Sequence, residues 1–355
     1  MATVGQWVQG ARPRTLPAAI APVLVGTAVA FTYLERLIAE HASAAAGDRF
    51  VGRWVPATAF GAYEHGATWV DSFWAPVTKA FAITPAAEQV STSWVSFTVR
   101  ALLALVVALA LQVGVNYAND YSDGIRGTDD ARVGPVRLVG QGLAPAHRVR
   151  EAALASFAVA ALAGLGLVLI TQAWWLVLVG LAAIAAAWLY TGGPRPYGYA
   201  GLGELFVFVF FGLVAVAGST FDQTLTVTWV SVAGGIGCGM LSVAILLANN
   251  LRDIPTDAVA GKRTLAVRLG DRGTRMAYLL SVAAPFVVAV AIAVPDYLWA
   301  LLALLALPLA VPPLRLVSNG ATGRDLVPVL SGTGRLLLGY AVALSLGLVI
   351  GTLTS

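Results

Sequence analysis

Nine stretches of this chain run for seventeen to twenty residues each without one Asp, Glu, Lys, Arg or His, a pattern that a water-facing fold cannot accommodate. They are Thr15–Tyr33, Ala101–Asn119, Ala152–Thr171, Ala173–Thr191, Leu205–Phe221, Trp229–Ala248, Met276–Pro295, Tyr297–Leu314 and Leu336–Leu353. A hydrocarbon core of ~30 Å is crossed by about 20 apolar residues in a helix, within a range of roughly 17 to 25. Lipid offers no partners to backbone N–H and C=O groups, so segments of this length have to be helical. Composition agrees: only 11% of the 355 residues are charged, where a soluble domain carries about 25%. The expected fold is an all-α integral membrane bundle of nine transmembrane helices, a single membrane domain over residues 1–355. Arg12 and Arg14 give the first segment the look of a signal peptide. It is read as a retained span, because such segments recur along the chain and no clear small-residue cleavage site follows it.

Basic residues set the orientation. With the N-terminus inside, 17 of the 22 lysines and arginines fall in cytoplasmic segments. The other five (Arg36, Arg49, Arg53, Lys79, Arg100) lie in or beside the first outside loop. Such a bias predicts an N-in, C-out topology. The net charge of +4 is modest and spread over several loops, so no nucleic-acid partner is expected. That first outside loop, residues 34–95, is a long extracytoplasmic insertion in which no chemistry is legible. Its His41 and His65 stand apart from any Cys or spaced carboxylates. Cys238, the single cysteine, excludes an internal disulfide and reads as a small core residue.

Two cytoplasmic loops, after the second and sixth spans, break the pattern and are read as carrying the function. The first reads Asn119-Asp120-Tyr-Ser-Asp123, with Asp129 and Asp130 beyond; the second reads Asn249-Asn250-Leu-Arg252-Asp253-Ile-Pro-Thr-Asp257, followed by Lys262 and Arg263. Asn119 and Asn249, and likewise Asp123 and Asp253, are offset by the same 130 positions, a weak internal repeat. Residues three or four apart share a helix face with Cβ atoms about 5–6 Å from one another. Pro255 weakens a regular helix at the second pair, which is therefore expected at a helix end. Like charges this close repel unless a cation lies between them, and hard oxygen ligands suit magnesium, which commonly takes one or two carboxylates plus phosphate oxygens. Lys262, Arg263 and Arg252 stand ready to meet the remaining phosphate charge.

With these motifs the chain resembles the UbiA-type superfamily of intramembrane aromatic prenyltransferases. Finer phrases are similar to its 1,4-dihydroxy-2-naphthoate polyprenyltransferase branch: Ala11-Arg-Pro-Arg-Thr-Leu-Pro-Ala18, Gly134-Pro-Val-Arg-Leu-Val-Gly140, Gly193-Pro-Arg-Pro-Tyr-Gly198, Gly201-Leu-Gly-Glu204 and Gly261-Lys-Arg-Thr-Leu-Ala-Val-Arg-Leu-Gly270. The resemblance implies a central cavity open toward the cytoplasm and sideways to lipid. It implies magnesium-dependent transfer of a polyprenyl group from its diphosphate to 1,4-dihydroxy-2-naphthoate, with decarboxylation to demethylmenaquinol, in the prokaryotic cell membrane. Asp120, Asp123, Asp253 and Asp257 are then the metal ligands, and Lys262 with Arg263 and Arg252 meet the diphosphate. Asn119 and Asn249 ligate metal, orient the carboxylates or simply cap helices. Arg137 binds the acceptor carboxylate or a phosphate, or is an ordinary positive-inside arginine. Tyr190 and Tyr197 contact the allylic cation or acceptor, or belong to an interfacial aromatic belt. For Phe206 and Phe210, lipid-facing packing is the plainer reading and a prenyl tunnel the sharper one. One departure is Gly127, where the broader superfamily often has an acid; Asp129 and Asp130 are the nearby substitutes.

Two other readings are weighed against this one. A relative using another acceptor, such as 4-hydroxybenzoate, shares the acidic segments. A secondary transporter is disfavoured, because transporters commonly place coupling groups near the midplane and every acid singled out here lies at a helix end or in a loop.

Overall fold

The computed structural model describes residues 2–42, 93–127 and 136–354, and within them all regular secondary structure is helical. A short α1 (Val4–Gly10) precedes α2 (Pro17–Ala42), α3 (Trp94–Ile125), α4 (Ala146–Thr171) and α5 (Leu176–Leu189). There follow α6 (Gly203–Thr224), α7 (Trp229–Val259), α8 (Leu265–Ala293), α9 (Leu298–Ser318) and α10 (Gly323–Thr354). Eight of these are long and apolar enough to cross a membrane. The exception among the apolar helices is α5, whose 14 residues extend only about 21 Å at 1.5 Å per residue. Gln172 divides it from α4: its left-handed φ of 56° ends α4 and turns its N–H back to the carbonyl of Val168.

Several expected boundaries move. Helix α2 continues past Tyr33 to Ala42 and α3 begins at Trp94, so helix replaces loop at both edges of the 34–95 insertion. Residues 43–92, with His65, and 128–135, with Asp129, Asp130 and Gly134, lie outside the described residues. The acidic segments are not loops: α3 runs on through Asp120 and Asp123, and α7 through Asp253 and Asp257. Pro255 does not end α7. Thr256 donates its hydroxyl to the carbonyl of Asp253 at 3.0 Å, and the N–H of Lys262 reaches that of Asp257 at 2.8 Å. These bonds occupy carbonyls near the proline, and the helix reaches Val259.

The main core gathers α2, α7, α8, α9 and α10 around Leu241, Ala244, Tyr278 and Tyr340, all fully buried. Cys238 sits in it as expected. Apolar side chains gain little from meeting each other rather than lipid, so close backbone approach and interhelical hydrogen bonds carry more of the packing. Tyr278 on α8 and Thr333 on α10 bond at 2.7 Å, a contact of the kind that contributes about 0.6 kcal/mol on average. Where α6 crosses α7, a Cβ on Gly212 would lie 2.6 Å from both the Gly235 carbonyl oxygen and the Gly239 Cα. Only glycine fits there. The same stretch of α6, Val209–Val214, is wound as a π-helix, a distortion frequent at functional sites.

Candidate active site

The two acidic helix ends meet at one end of the bundle, together with the N-terminal segment. Tyr117 on α3 donates to the carbonyl of Trp7 at 2.9 Å, and Asn116 to that of Ala11 at 2.9 Å. From this end a cavity of about 480 Å³ runs into the bundle. Its head is polar, lined by Asn119, Asp123, Arg137, Asn249, Asp257 and Lys262. Its walls are apolar, among them Leu111 of α3, Leu167 of α4, Ile184 of α5 and Phe210 of α6.

The four acids do not act alike. Asp123 and Asp257 line the cavity. Asp120 is buried and accepts the backbone N–H groups of Leu138 (2.7 Å) and Val139 (3.2 Å). It ties the 136–144 segment to α3 and does not line the cavity. Asp253 is gripped by its neighbour Arg252, with Nε and Nη2 each 2.7 Å from a carboxylate oxygen. Arg252 also donates to Asn249 Oδ1 at 2.9 Å, so this pair acts on the cavity through Asn249.

Lys262 is buried and points at Asp123, with Nζ 3.3 Å from Oδ1. The same oxygen accepts from Tyr199 at 2.5 Å, and Lys262 Nζ stands 4.5 Å from the centre of the Tyr199 ring. A cation over an aromatic face is held electrostatically, so one tyrosine fixes both members of the pair. The backbone carbonyl of Tyr199 also takes the N–H of Arg263 at 2.9 Å, locking the Tyr197–Ala200 turn to the end of α7. The Arg263 side chain itself is exposed and outside the cavity lining. Asn119 accepts from the Thr191 hydroxyl at 2.8 Å, and Arg126 donates to the carbonyls of Thr191 and Gly193.

Tyr190 and Tyr197 line the cavity edge-to-face, with centroids 5.5 Å apart. Tyr197 stacks on Phe206 at 4.0 Å, and Phe206 on Phe210 at 6.1 Å. All four rings therefore face the cavity, and the plainer, lipid-facing reading of Phe206 and Phe210 gives way. Tyr197 donates to the carbonyl of Ala186 at 2.8 Å, and burial pushes its hydroxyl well above the usual phenol range, keeping it a neutral donor. Glu204, in the first turn of α6, is buried and accepts from Asn250 at 2.9 Å.

Sequence reasoning missed Tyr199, Thr191, Arg126 and Arg12, the last of which also lines the cavity. Tyr199 lies between two of the quoted phrases, but a tyrosine at a span end reads as interfacial until its partners are known.

The donor set consists of hard oxygens: the carboxylates of Asp123 and Asp257 and the side-chain amides of Asn119 and Asn249. Among the described residues no three or more His, Cys, Asp or Glu cluster as a metal cage. Magnesium typically needs only one or two carboxylates beside substrate phosphates, and the residues present fit it.

Residues 74–325 match the UbiA prenyltransferase family. The chain is 48% identical to the 1,4-dihydroxy-2-naphthoate octaprenyltransferase of Mycobacterium tuberculosis, across 100% of both chains. It is 38% identical to the Escherichia coli protein of the same name, over 66% of this chain and 78% of that one. Among solved structures, a UbiA homolog from Archaeoglobus fulgidus bound to GPP and Mg2+ superposes with a TM-score of 0.57. It covers 97% of this chain and 99% of its own at 12% identity, a likeness of fold.

Proposed function

This chain belongs to the UbiA prenyltransferase family, and on that premise we propose that it transfers a polyprenyl group from its diphosphate to 1,4-dihydroxy-2-naphthoate, a step of menaquinone biosynthesis. The observation that carries the reading is the shape of the cavity: Asp123, Asp257 and Lys262 converge at its head, above apolar walls. A prenyl diphosphate has the same division, a charged head on an apolar chain.

In this reading Asp123 and Asp257, with Asn119 and Asn249 beside them, hold magnesium. The bound ion would supply Lewis-acid stabilisation of the departing pyrophosphate charge. Asp120 and Asp253 serve the same site from behind, one through the backbone of Leu138 and Val139, the other through Arg252. Lys262 leaves Asp123 for a diphosphate oxygen, with Arg263 contributing positive field from further back, while Arg252 stays committed to Asp253 and Asn249. Breaking the allylic C–O bond leaves a cation, which the Tyr190, Tyr197, Phe206 and Phe210 faces shelter from water. Arg137 takes the acceptor carboxylate. The ring carbon bearing that carboxylate attacks the allylic carbon. Loss of carbon dioxide then restores aromaticity and gives demethylmenaquinol, so no base is needed to remove a ring proton.

The topology belongs to the same proposal. The short α5 counts as the ninth membrane segment, and the acidic end of the bundle faces the cytoplasm in an N-in, C-out arrangement, as the basic residues favour. The lateral side of the cavity faces lipid, where Val177 and Leu181 of α5 line it and are also exposed.

The test is transfer of a radiolabelled polyprenyl group by the purified protein in liposomes, with and without magnesium. The naphthoate and 4-hydroxybenzoate are offered separately. Magnesium-dependent product from the naphthoate alone is expected. Product from the benzoate alone would overturn the acceptor while keeping the mechanism.

A further inference from the structure

Among the buried charged residues that the mechanism does not use are Asp222, which lines the cavity far from its head, and its neighbour Arg100. Arg100 lies in the second turn of α3, 23 positions before Asp123, which places it about 35 Å down the helix axis at 1.5 Å per residue. It is 2% exposed and donates from Nη1 to the backbone carbonyl of Asp222 on α6 at 2.7 Å. Gln223 adds a bond from Nε2 to the carbonyl of Phe97 at 2.9 Å, so α3 and α6 are clamped together here.

The Asp222 side chain differs from its neighbours. It is 7% exposed, lines the cavity, and its carboxylate makes no hydrogen bond with any described residue. Ser219, one turn earlier on α6, lines the cavity with it, its own hydroxyl turned back to Ala215. Between this foot and the polar head the walls are mostly apolar, among them Ala104, Val107, Leu167, Val168 and Val214; Gln112 and Ser242 interrupt them, with their donors turned to Thr15 and to the carbonyl of Cys238. A carboxylate facing a space has to be solvated by what fills the space. Apolar chain cannot do this; water can.

We propose that Asp222, backed by Arg100, ends the apolar tunnel in a hydrated polar stop that sets how far a prenyl chain enters straight, and so selects among donors by length. This rests on the prenyl-transfer reading of the cavity. A short donor such as farnesyl diphosphate ends above the stop and does not sense it. A chain long enough to reach the foot has to displace water from Asp222 or turn aside toward lipid. Both cost binding that a shorter chain does not forfeit.

The experiment compares kcat/KM for octaprenyl and farnesyl diphosphate, with 1,4-dihydroxy-2-naphthoate as acceptor, in the full-length protein. Asp222→Leu makes the foot apolar and is expected to raise the octaprenyl-to-farnesyl ratio at least threefold, with farnesyl turnover unchanged. Asp222→Asn keeps a polar foot, and its ratio stays within twofold of the parent. Should Asp222→Leu fail to fold because Arg100 loses its counter-charge, Arg100→Leu with Asp222→Leu removes both charges, and the same threefold rise is expected. A ratio within twofold of the parent in a folded Leu variant overturns the stop, as does an equal rise in Asp222→Asn. Absence of transfer from either donor in the parent protein would instead strike the reading on which the proposal stands.

Discussion

The ends of α3 and α7 carry nearly the same letters and solve the same problem with different parts. Each has an Asn that lines the cavity, Asn119 or Asn249, and each has two acids within the next eight residues. In both, one acid faces the cavity and the other is held by the scaffold. On α3 the holder is backbone: Leu138 and Val139 donate N–H groups to Asp120. On α7 it is a side chain, the Arg252 guanidinium on Asp253. The register of the repeat is not kept, because Asp123, which faces the cavity, aligns with Asp253, which does not. Spacing thus fixes how many carboxylates a helix end can present, while the neighbours decide which of them is presented.

Breaking the comparison at the cavity-facing acids should give the largest effect. Asp123→Asn or Asp257→Asn is expected to lower kcat for prenyl transfer at least a hundredfold in folded protein, with the thermal unfolding midpoint in detergent moving little for Asp257→Asn and falling for Asp123→Asn, where Lys262 loses its buried partner. A variant within tenfold of the parent would remove that residue from the site.

The scaffold-held acids should fail in another way. Asp253→Ala leaves the Arg252 guanidinium buried without its carboxylate, and breaking a buried pair in this manner costs about 3–5 kcal/mol. Unfolding monitored by circular dichroism should show that loss, and Arg252→Met with Asp253→Leu should recover most of it. Recovered stability without recovered transfer is the expected outcome, because Asn249 loses its guanidinium partner as well. If the double variant regains full activity, Asp253 is purely structural.

The smallest change sharpens the contrast between the two ends. Tyr199→Phe keeps the ring under Lys262 and removes the hydroxyl on Asp123. Turnover should fall about tenfold with KM for the donor within twofold. Tyr199→Leu, which also removes the ring, should raise donor KM several-fold. Matching kinetics for the two variants would show that the ring holds nothing.

Much of this was legible in the sequence. Uncharged segments of spanning length specify helices because lipid leaves the backbone no alternative, and eight of the nine expected segments correspond to helices long enough to cross. The ends were less legible, since a helix that gains partners continues past its last apolar residue, as α3 does through Asp123. The acidic pairs were visible as pairs. Which member turns inward was not, because it depends on the N–H groups of Leu138 and Val139, far from Asp120 along the chain. Arg263 illustrates the opposite error: adjacent to Lys262 in sequence, its side chain is exposed while Lys262 is buried. Phe206 and Phe210 were ambiguous because a tunnel wall and a lipid face ask for the same residues.

The shortness of α5 has a consequence for the bilayer. Placed across a hydrocarbon core of ~30 Å, a helix of about 21 Å falls about 9 Å short. Such hydrophobic mismatch is relieved by local thinning of the lipid or by flanking residues reaching for the interface. Trp174 and Trp175 at one end, with Trp188 at the other, are the residue type that anchors there. The membrane is therefore expected to pinch beside the lateral wall of the cavity, bringing headgroup and acyl-chain boundaries closer together where Val177 and Leu181 of α5 line it.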